Sequence, residues 1–340
     1  MNKLRLTLAL LLGTLLASAQ TVEPFWLGAD ISGTTELEAR GIQLMNAQGE
    51  PRENTALMRE LGLNAVRLRV WVNPMRGFSS KEDVLVMAER AKAEGMALMI
   101  DFHYSDWWAD PGKQNIPKAW EMMDYDQMKE ALAAHTRETL QLLKDHAIDV
   151  RWVQVGNETT NGFLWPMGRA GENMAQYAGL TKAGYEAVKA VYPEAAVIIH
   201  LDGGCDPHRY HFIFDGLKAH DCPWDIIGIS VYPYWDQEAG LETTWQDTVR
   251  DFTANIRGLY ARYQTPLMVV ETGVERSKPV EGKQIMAEII RASREDCEGH
   301  CQGVFYWAPE AEGHYPLGAF EGHKPTVIME AFTEAAEAKK

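Results

Sequence analysis

From about residue 25 onward the chain repeats one unit: a short apolar run rich in Val, Ile and Leu, a polar loop, then an amphipathic helical pattern. The apolar runs are Phe25–Ile31, Asn64–Val70, Ala97–His103, Val150–Gly156, Ala196–Leu201, Asp225–Val231, Pro266–Glu271 and Gly303–Trp307. The helical patterns are Glu53–Leu61, Lys81–Glu94, Tyr125–His146, Gly171–Val191, His208–Ala219, Thr243–Arg262, Glu281–Arg294 and Thr326–Ala338. Strands that are apolar without alternation are buried on both faces, and strands separated by helices run parallel. Eight such units predict an α/β protein, a single (β/α)₈ TIM barrel. A doubly wound sheet competes, but its first strand leads into a Gly-rich phosphate turn, and Asp30-Ile31-Ser32-Gly33-Thr34 stands here instead. No low-complexity linker interrupts the rhythm, and 340 residues suit one barrel.

Residues 1–19 do not belong to that rhythm. Lys3 and Arg5 precede an apolar run, Leu6 to Ala19, which ends in the small residues Ala17-Ser18-Ala19. The run is too short to span a bilayer and has the layout of a secretory signal peptide. The expectation is export after cleavage, to the periplasm or the medium, with residues 20–340 as the (β/α)₈ domain. The remaining chain has no segment apolar enough to cross a membrane. A formal net charge of −15 gives no general attraction to phosphate backbones or anionic lipid. Nucleic acid and membranes are thus poor partners, and a neutral substrate is the easier expectation. The chain is separately expected to be a monomer. The four cysteines are Cys205, Cys222, Cys297 and Cys301. Cys297 and Cys301 are close enough in sequence for a disulfide or two free thiols. With only His300 nearby they make a weak zinc motif.

In such a barrel the active site lies where strands end and βα loops begin. The fourth run closes on Gly156-Asn157-Glu158 and the seventh on Glu271-Thr272. Two carboxylates at one barrel mouth are what cleavage of a glycosidic bond requires: one protonates the leaving oxygen, the other attacks the anomeric carbon or activates water. Arg69 is expected beside Glu271, holding it ionised, with Arg67 competing for that place and an ion pair to Asp30 or Asp101 as Arg69's alternative. His103 and Tyr232 are hydrogen-bond candidates for the sugar or for Glu271. Trp71, Trp107, Trp108, Trp120, Trp165, Trp235 and Trp307 all fall at strand ends or in βα loops. Indole faces stack on the C–H faces of sugar rings, so a carbohydrate cleft is expected. Trp152 and Trp224, at strand starts, are expected in the core.

These residues carry a family resemblance. Trp71-Val72-Asn73-Pro74, the stretch from His103 to Pro111, Val155-Gly156-Asn157-Glu158, Gly162-Phe163-Leu164-Trp165-Pro166, His200-Leu201-Asp202, Ser230-Val231-Tyr232-Pro233 and Val270-Glu271-Thr272 occur in order. Together they resemble the motifs of glycoside hydrolase family 53, the arabinogalactan endo-β-1,4-galactanases. The resemblance implies a retaining endo-hydrolase of β-1,4-galactan side chains of pectin, with Glu158 as acid/base, Glu271 as nucleophile and Trp307 beneath the sugar at the cleavage point. Arg69, His103, Asp106, Trp107, Asn157, Trp165, His200, Asp202, Tyr232 and Trp307 are the expected substrate-binding residues. One departure counts: members of the family can carry an Asp- and Asn-rich calcium loop after the seventh strand, whereas Thr272–Val280 lacks that ligand set. No metal and no cofactor are expected. A metal-dependent amidohydrolase would place His-x-His after the first strand, where Gly28-Ala29-Asp30 stands. A non-catalytic sugar-binding barrel would need no matched carboxylates. Cellulase, mannanase and xylanase share the two-glutamate logic, so galactose rests on the resemblance.

Overall fold

The computed structural model describes residues 24–238 and 243–338, and the expected signal peptide lies outside them. Eight parallel strands close in sequence order into a barrel: β1 (Trp26–Asp30), β2 (Ala65–Val70), β3 (Ala97–Phe102), β4 (Trp152–Val155), β5 (Ala196–Leu201), β6 (Ile226–Val231), β7 (Leu267–Thr272) and β8 (Cys301–Trp307). The main outer helices are α1 (Asn54–Glu60), α2 (Lys81–Ala93), α3 (Tyr125–Asp145), α4 (Ala170–Val191), α5 (Pro207–Ala219), α6 (Trp245–Tyr263), α7 (Pro279–Glu295) and α8 (Glu330–Glu337). The (β/α)₈ barrel expected from the sequence is therefore the observed fold. Short helices at Thr34–Ala39 and Pro233–Glu238, and the hairpin Phe320–Glu321 with Lys324–Pro325, add to the expected set.

Helix starts follow from side-chain capping. Asp124 accepts from Gln127 N and Thr244 accepts from Asp247 N, each closing a capping box that satisfies otherwise orphaned N–H groups. α7 begins two residues earlier than its apolar pattern because Pro279 is suited to a first helical turn.

Strand side chains alternate between two environments. One set packs against the helices in the large core that includes Leu27, Val66, Leu98, Val153, Ile199, Ile227, Val269 and Val304. The other fills the barrel interior. Its floor is apolar, with Ala65, Met99, Trp152, Ile198, Ile226, Met268, Val270 and Phe305. Gly28 leaves room for Phe305, whose ring would lie 2.3 Å from any added Cβ. Trp152 is in the interior, and Trp224 packs with Phe214 and Tyr263, as expected of core tryptophans. Above the floor the interior turns polar: Asp30, Arg67, Asp101, Gln154 and His200 are all buried. All four cysteines carry free thiols, and burial pushes each above its ordinary pKa.

Candidate active site

Two local distortions aim the glutamates. Gly156 follows β4 with φ +89°, and a Cβ there would meet Thr159 Cγ2 at 2.5 Å. Glu158 itself takes a left-handed φ of 46°. A non-glycine residue held there is strained, and the turn sets Asn157 and Glu158 side by side at the mouth. On β7 the device is a bulge: Val269 pairs with Ile229, yet Glu271 pairs with Ser230, so Val270 is passed over. Strict alternation after Met268 and Val270 would send Thr272 inward. The extra residue re-aims Glu271 instead. An oxygen of Glu158, one of Glu271 and a ring nitrogen of His200 consequently lie within 4.8 Å of one another.

Arg67, fully buried, organises the layer beneath. Its Nη1 donates to Asp30 Oδ2 at 2.8 Å, its Nε to Gln154 Oε1 at 2.7 Å, and its Nη2 to Asp101 Oδ2 at 2.9 Å and Asn157 Oδ1 at 2.8 Å. Nη2 also stands 2.8 Å from Glu271 Oε1, an ion-pair contact rather than an aligned hydrogen bond, so Oε1 is buried without a hydrogen-bond partner. Tyr232 donates to the other oxygen, Oε2, at 3.2 Å. Burial pushes Glu271 above the ordinary carboxylate range, and the Arg67 guanidinium and the Tyr232 hydroxyl pull it back. Burial pushes Glu158 further, and the charges of Glu271 and Asp202 add to the rise. The two acids share one environment, so their protons come off in two coupled steps that belong to the pair.

The expected pairing of Arg69 with Glu271 is corrected by this geometry: Arg67 makes it. Arg67 and Arg69 lie on the same face of β2, but Arg69 leans over the rim. Its guanidinium sits 3.9 Å from the Trp108 ring centre and 4.6 Å from that of Trp71, and Nε donates to Ser79 Oγ. His103 reaches neither a cleft nor Glu271. Burial keeps it neutral, its Nε2–H donates to Asp101 Oδ2 at 3.0 Å, and its Nδ1 accepts from Trp71 Nε1 and the Ala109 backbone. Asp106 is a loop staple, accepting from the Asn73 and Lys118 backbone N–H groups. His200 is wholly buried, bonded to Ser230 through Nε2. Trp165 donates to Asn161 O and lies under the Arg169 guanidinium. Trp107 is 57% exposed and rests on Trp71, 4.7 Å away between ring centres.

What remains forms a cleft of about 840 Å³ above the two glutamates. Trp108, Asp110 and Lys113 line one part, and Asp202, Arg209, Asp236 and Trp235 another, with Asn157, Ser230, Tyr232, Trp307 and Tyr315 around the centre. Trp307 stands between Trp108 (5.5 Å) and Tyr315 (4.8 Å), which fix its plane. Asp202 bonds Thr160 and pairs with Arg209 at 2.5 Å. Among the expected residues, Asn157, Glu158, Asp202, Tyr232, Glu271 and Trp307 meet here. Ser230 stands in one of the quoted motifs but is given no role there, and Tyr315, Asp236 and Arg209 are not singled out by the sequence. Tyr315 and Asp236 carry no distinctive spacing, while Arg209, in the first turn of α5, falls outside any strand end.

The sequence profile of the glycosyl hydrolase family 53 matches residues 26–319. The chain belongs to that family. Its relatives include a probable arabinogalactan endo-β-1,4-galactanase A of Neosartorya fischeri, 35% identical over 92% of this chain and 91% of the relative. An endo-β-1,4-galactanase of Bacillus subtilis is 30% identical, over 84% of this chain and 70% of its own. Among solved structures, the Ignisphaera aggregans GH53 catalytic domain superposes with a TM-score of 0.81 at 30% identity, covering 91% and 95% of the two chains.

Two consequences for this family 53 member can be measured. Arg67→Met would leave Asp30, Asp101 and Glu271 without their shared cation, and losing one partner of a buried ion pair costs about 3–5 kcal/mol. Denaturant unfolding should register that loss, and a change under 1 kcal/mol would show the cluster is not held by Arg67. The gathering of Glu158, His200 and Glu271 is also a possible metal donor set, but both His200 ring nitrogens are engaged within the protein. EDTA is therefore expected to leave melting temperature and activity unchanged. A drop of several degrees that added calcium restores would reveal a bound ion.

Proposed function

We propose that this family 53 enzyme is an exported, monomeric endo-β-1,4-galactanase that hydrolyses β-1,4-galactan side chains of pectin with retention, Glu158 serving as acid/base and Glu271 as nucleophile. The observation that carries the mechanism is the short separation of the carboxylates. Retaining glycosidases place them about 5–5.5 Å apart, whereas inverting ones leave about 6.5–9.5 Å for a water. One oxygen of each glutamate lies within 4.8 Å of the other, which supports the closer, retaining arrangement. Galactan is supported by the names of the relatives, and export by the leader-like residues 1–19.

The steps follow from the environment of each acid. Galactan lies across Trp307, its scissile bond above the pair. Glu158, kept protonated by burial and by the Glu271 charge, gives its proton to the departing oxygen. Glu271 Oε2 attacks the anomeric carbon, since Oε1 is turned inward against Arg67. Bonding neutralises Glu271, which removes its repulsion of Glu158. The Glu158 carboxylate then takes a proton from water, and that water displaces Glu271 from the sugar. A reducing-sugar assay on galactan, xylan, mannan and cellulose tests the substrate. Release confined to galactan is expected; faster release from any of the other three would overturn the assignment.

A further inference from the structure

Ser230 Oγ lies 2.7 Å from Glu158 Oε1 and 2.8 Å from His200 Nε2. The other His200 nitrogen, Nδ1, has two neighbours at 3.0 Å that demand opposite things of it: Gln154 Nε2 offers a hydrogen, and Asn157 Oδ1 offers a lone pair. Neither amide can be turned round. Gln154 Oε1 accepts from Arg67 Nε while its Nε2 donates to Asp101 Oδ1 at 3.1 Å. Asn157 Oδ1 accepts from Arg67 Nη2 while its Nδ2 donates to Ala109 O at 2.9 Å.

The ring therefore has two tautomers, and each sets a direction for the path to Glu158. With the proton on Nε2, His200 donates to Ser230 and Ser230 donates to Oε1. With the proton on Nδ1, His200 donates to Asn157, Ser230 donates to His200, and Ser230 can then only accept from Glu158. The surroundings favour the first. Asn157 Oδ1 already holds an Arg67 N–H, whereas two donors face Nδ1: the second amide hydrogen of Gln154 and the Glu158 backbone N–H at 3.4 Å.

We infer that a one-way hydrogen-bond chain, from Arg67 through Gln154, His200 and Ser230 to Glu158 Oε1, holds the acid/base so that its catalytic proton sits on Oε2. This rests on the acid/base role proposed above. His200, Ser230 and Gln154 are then positioning residues, and His200 touches no substrate. Burial and the nearby Arg67 charge keep His200 neutral, as either tautomer requires. Donors aligned head to tail polarise one another, so the guanidinium that contacts Glu271 directly also favours the Glu158 carboxylate through four hydrogen bonds. The charged and titratable groups facing Glu158 are Arg67 from β2, Asp202 after β5, Tyr210 from α5, Tyr232 after β6, Glu271 from β7 and Tyr315 beyond β8.

Two measurements on the full chain test the direction. In ¹⁵N-histidine NMR of the native protein, with His200 assigned by its loss in His200→Gln, the proton should be on Nε2; a proton on Nδ1 overturns the chain. The second is the basic limb of the kcat/KM profile on galactan, which reports Glu158 in the free enzyme. Ser230→Ala removes a donor to the charged form and should raise that limb by roughly half to one pH unit. Ser230→Thr, which keeps the hydroxyl, should leave it in place. A limb that stays or falls in Ser230→Ala contradicts the proposal, because a hydroxyl that only accepted would have stabilised the acid form. Glu158→Ala assayed on an activated aryl galactooligoside separates the two readings. If the basic limb survives there, Glu158 is not the acid/base, while the His200 tautomer still decides whether the chain exists.

Discussion

Glu271→Ala is expected to lower kcat on galactan by on the order of 10⁴–10⁶-fold, the span of losses when one member of a catalytic set is removed. In the proposed mechanism this glutamate forms the bond to the anomeric carbon, so substrates with good leaving groups should fail as badly as galactan. Loss of folding is not the expected cause. Burial raises the Glu271 pKa, so the folded state binds the proton more tightly than the unfolded chain. Stability contributed by this group therefore falls as pH rises from the unfolded value through the folded one. Deleting it removes that cost, and Arg67 keeps Asp30 and Asp101 as partners. The melting temperature should stay within a few degrees of the native one. Azide entering the vacated side of the ring should give an α-galactosyl azide. Substantial residual cleavage of galactan would transfer the nucleophile role elsewhere, with Asp202 the next carboxylate to replace.

Glu158→Ala should behave differently. Loss of general acid catalysis costs roughly 10²–10⁴-fold on galactan, whose leaving sugar oxygen needs a proton. An activated aryl galactooligoside needs none, so its first step should be nearly spared. The galactosyl ester on Glu271 then forms and waits, because no base activates water. Azide needs no base, and should speed turnover and release β-galactosyl azide. Mass spectrometry of the stalled enzyme should find the galactosyl group on the peptide bearing Glu271. Equal losses on both substrates, with no response to azide, would mean that Glu158 does not handle the proton.

Much of this was legible in sequence because it depends on periodicity and on strand ends. Unbroken apolar runs between amphipathic helices specify a covered parallel barrel, and Glu158 and Glu271 stand out because the barrel's chemistry gathers at those ends. Reading failed where depth, rather than face, decides the outcome. Arg67 and Arg69 have the same parity on β2, so no alternation argument separates the arginine inside the barrel from the one that lies on Trp108. His103 occupies a strand end yet has both nitrogens bonded within the protein, and only the partners Asp101, Trp71 and Ala109 show it. The orientation of Glu271 rests on a one-residue bulge between β6 and β7 that no residue type announces. Ser230 looks like any small strand residue until its distances to His200 and Glu158 are known.

The central claim is retention by a closely spaced pair of glutamates acting on β-1,4-galactan, and proton NMR of the first reducing ends released from that polymer tests it most directly. The account requires new β-galactose anomeric signals at the earliest times, with α signals growing in only as mutarotation proceeds. Initial appearance of the α anomer would mean direct displacement by water, and neither the nucleophile nor the two-step mechanism would survive.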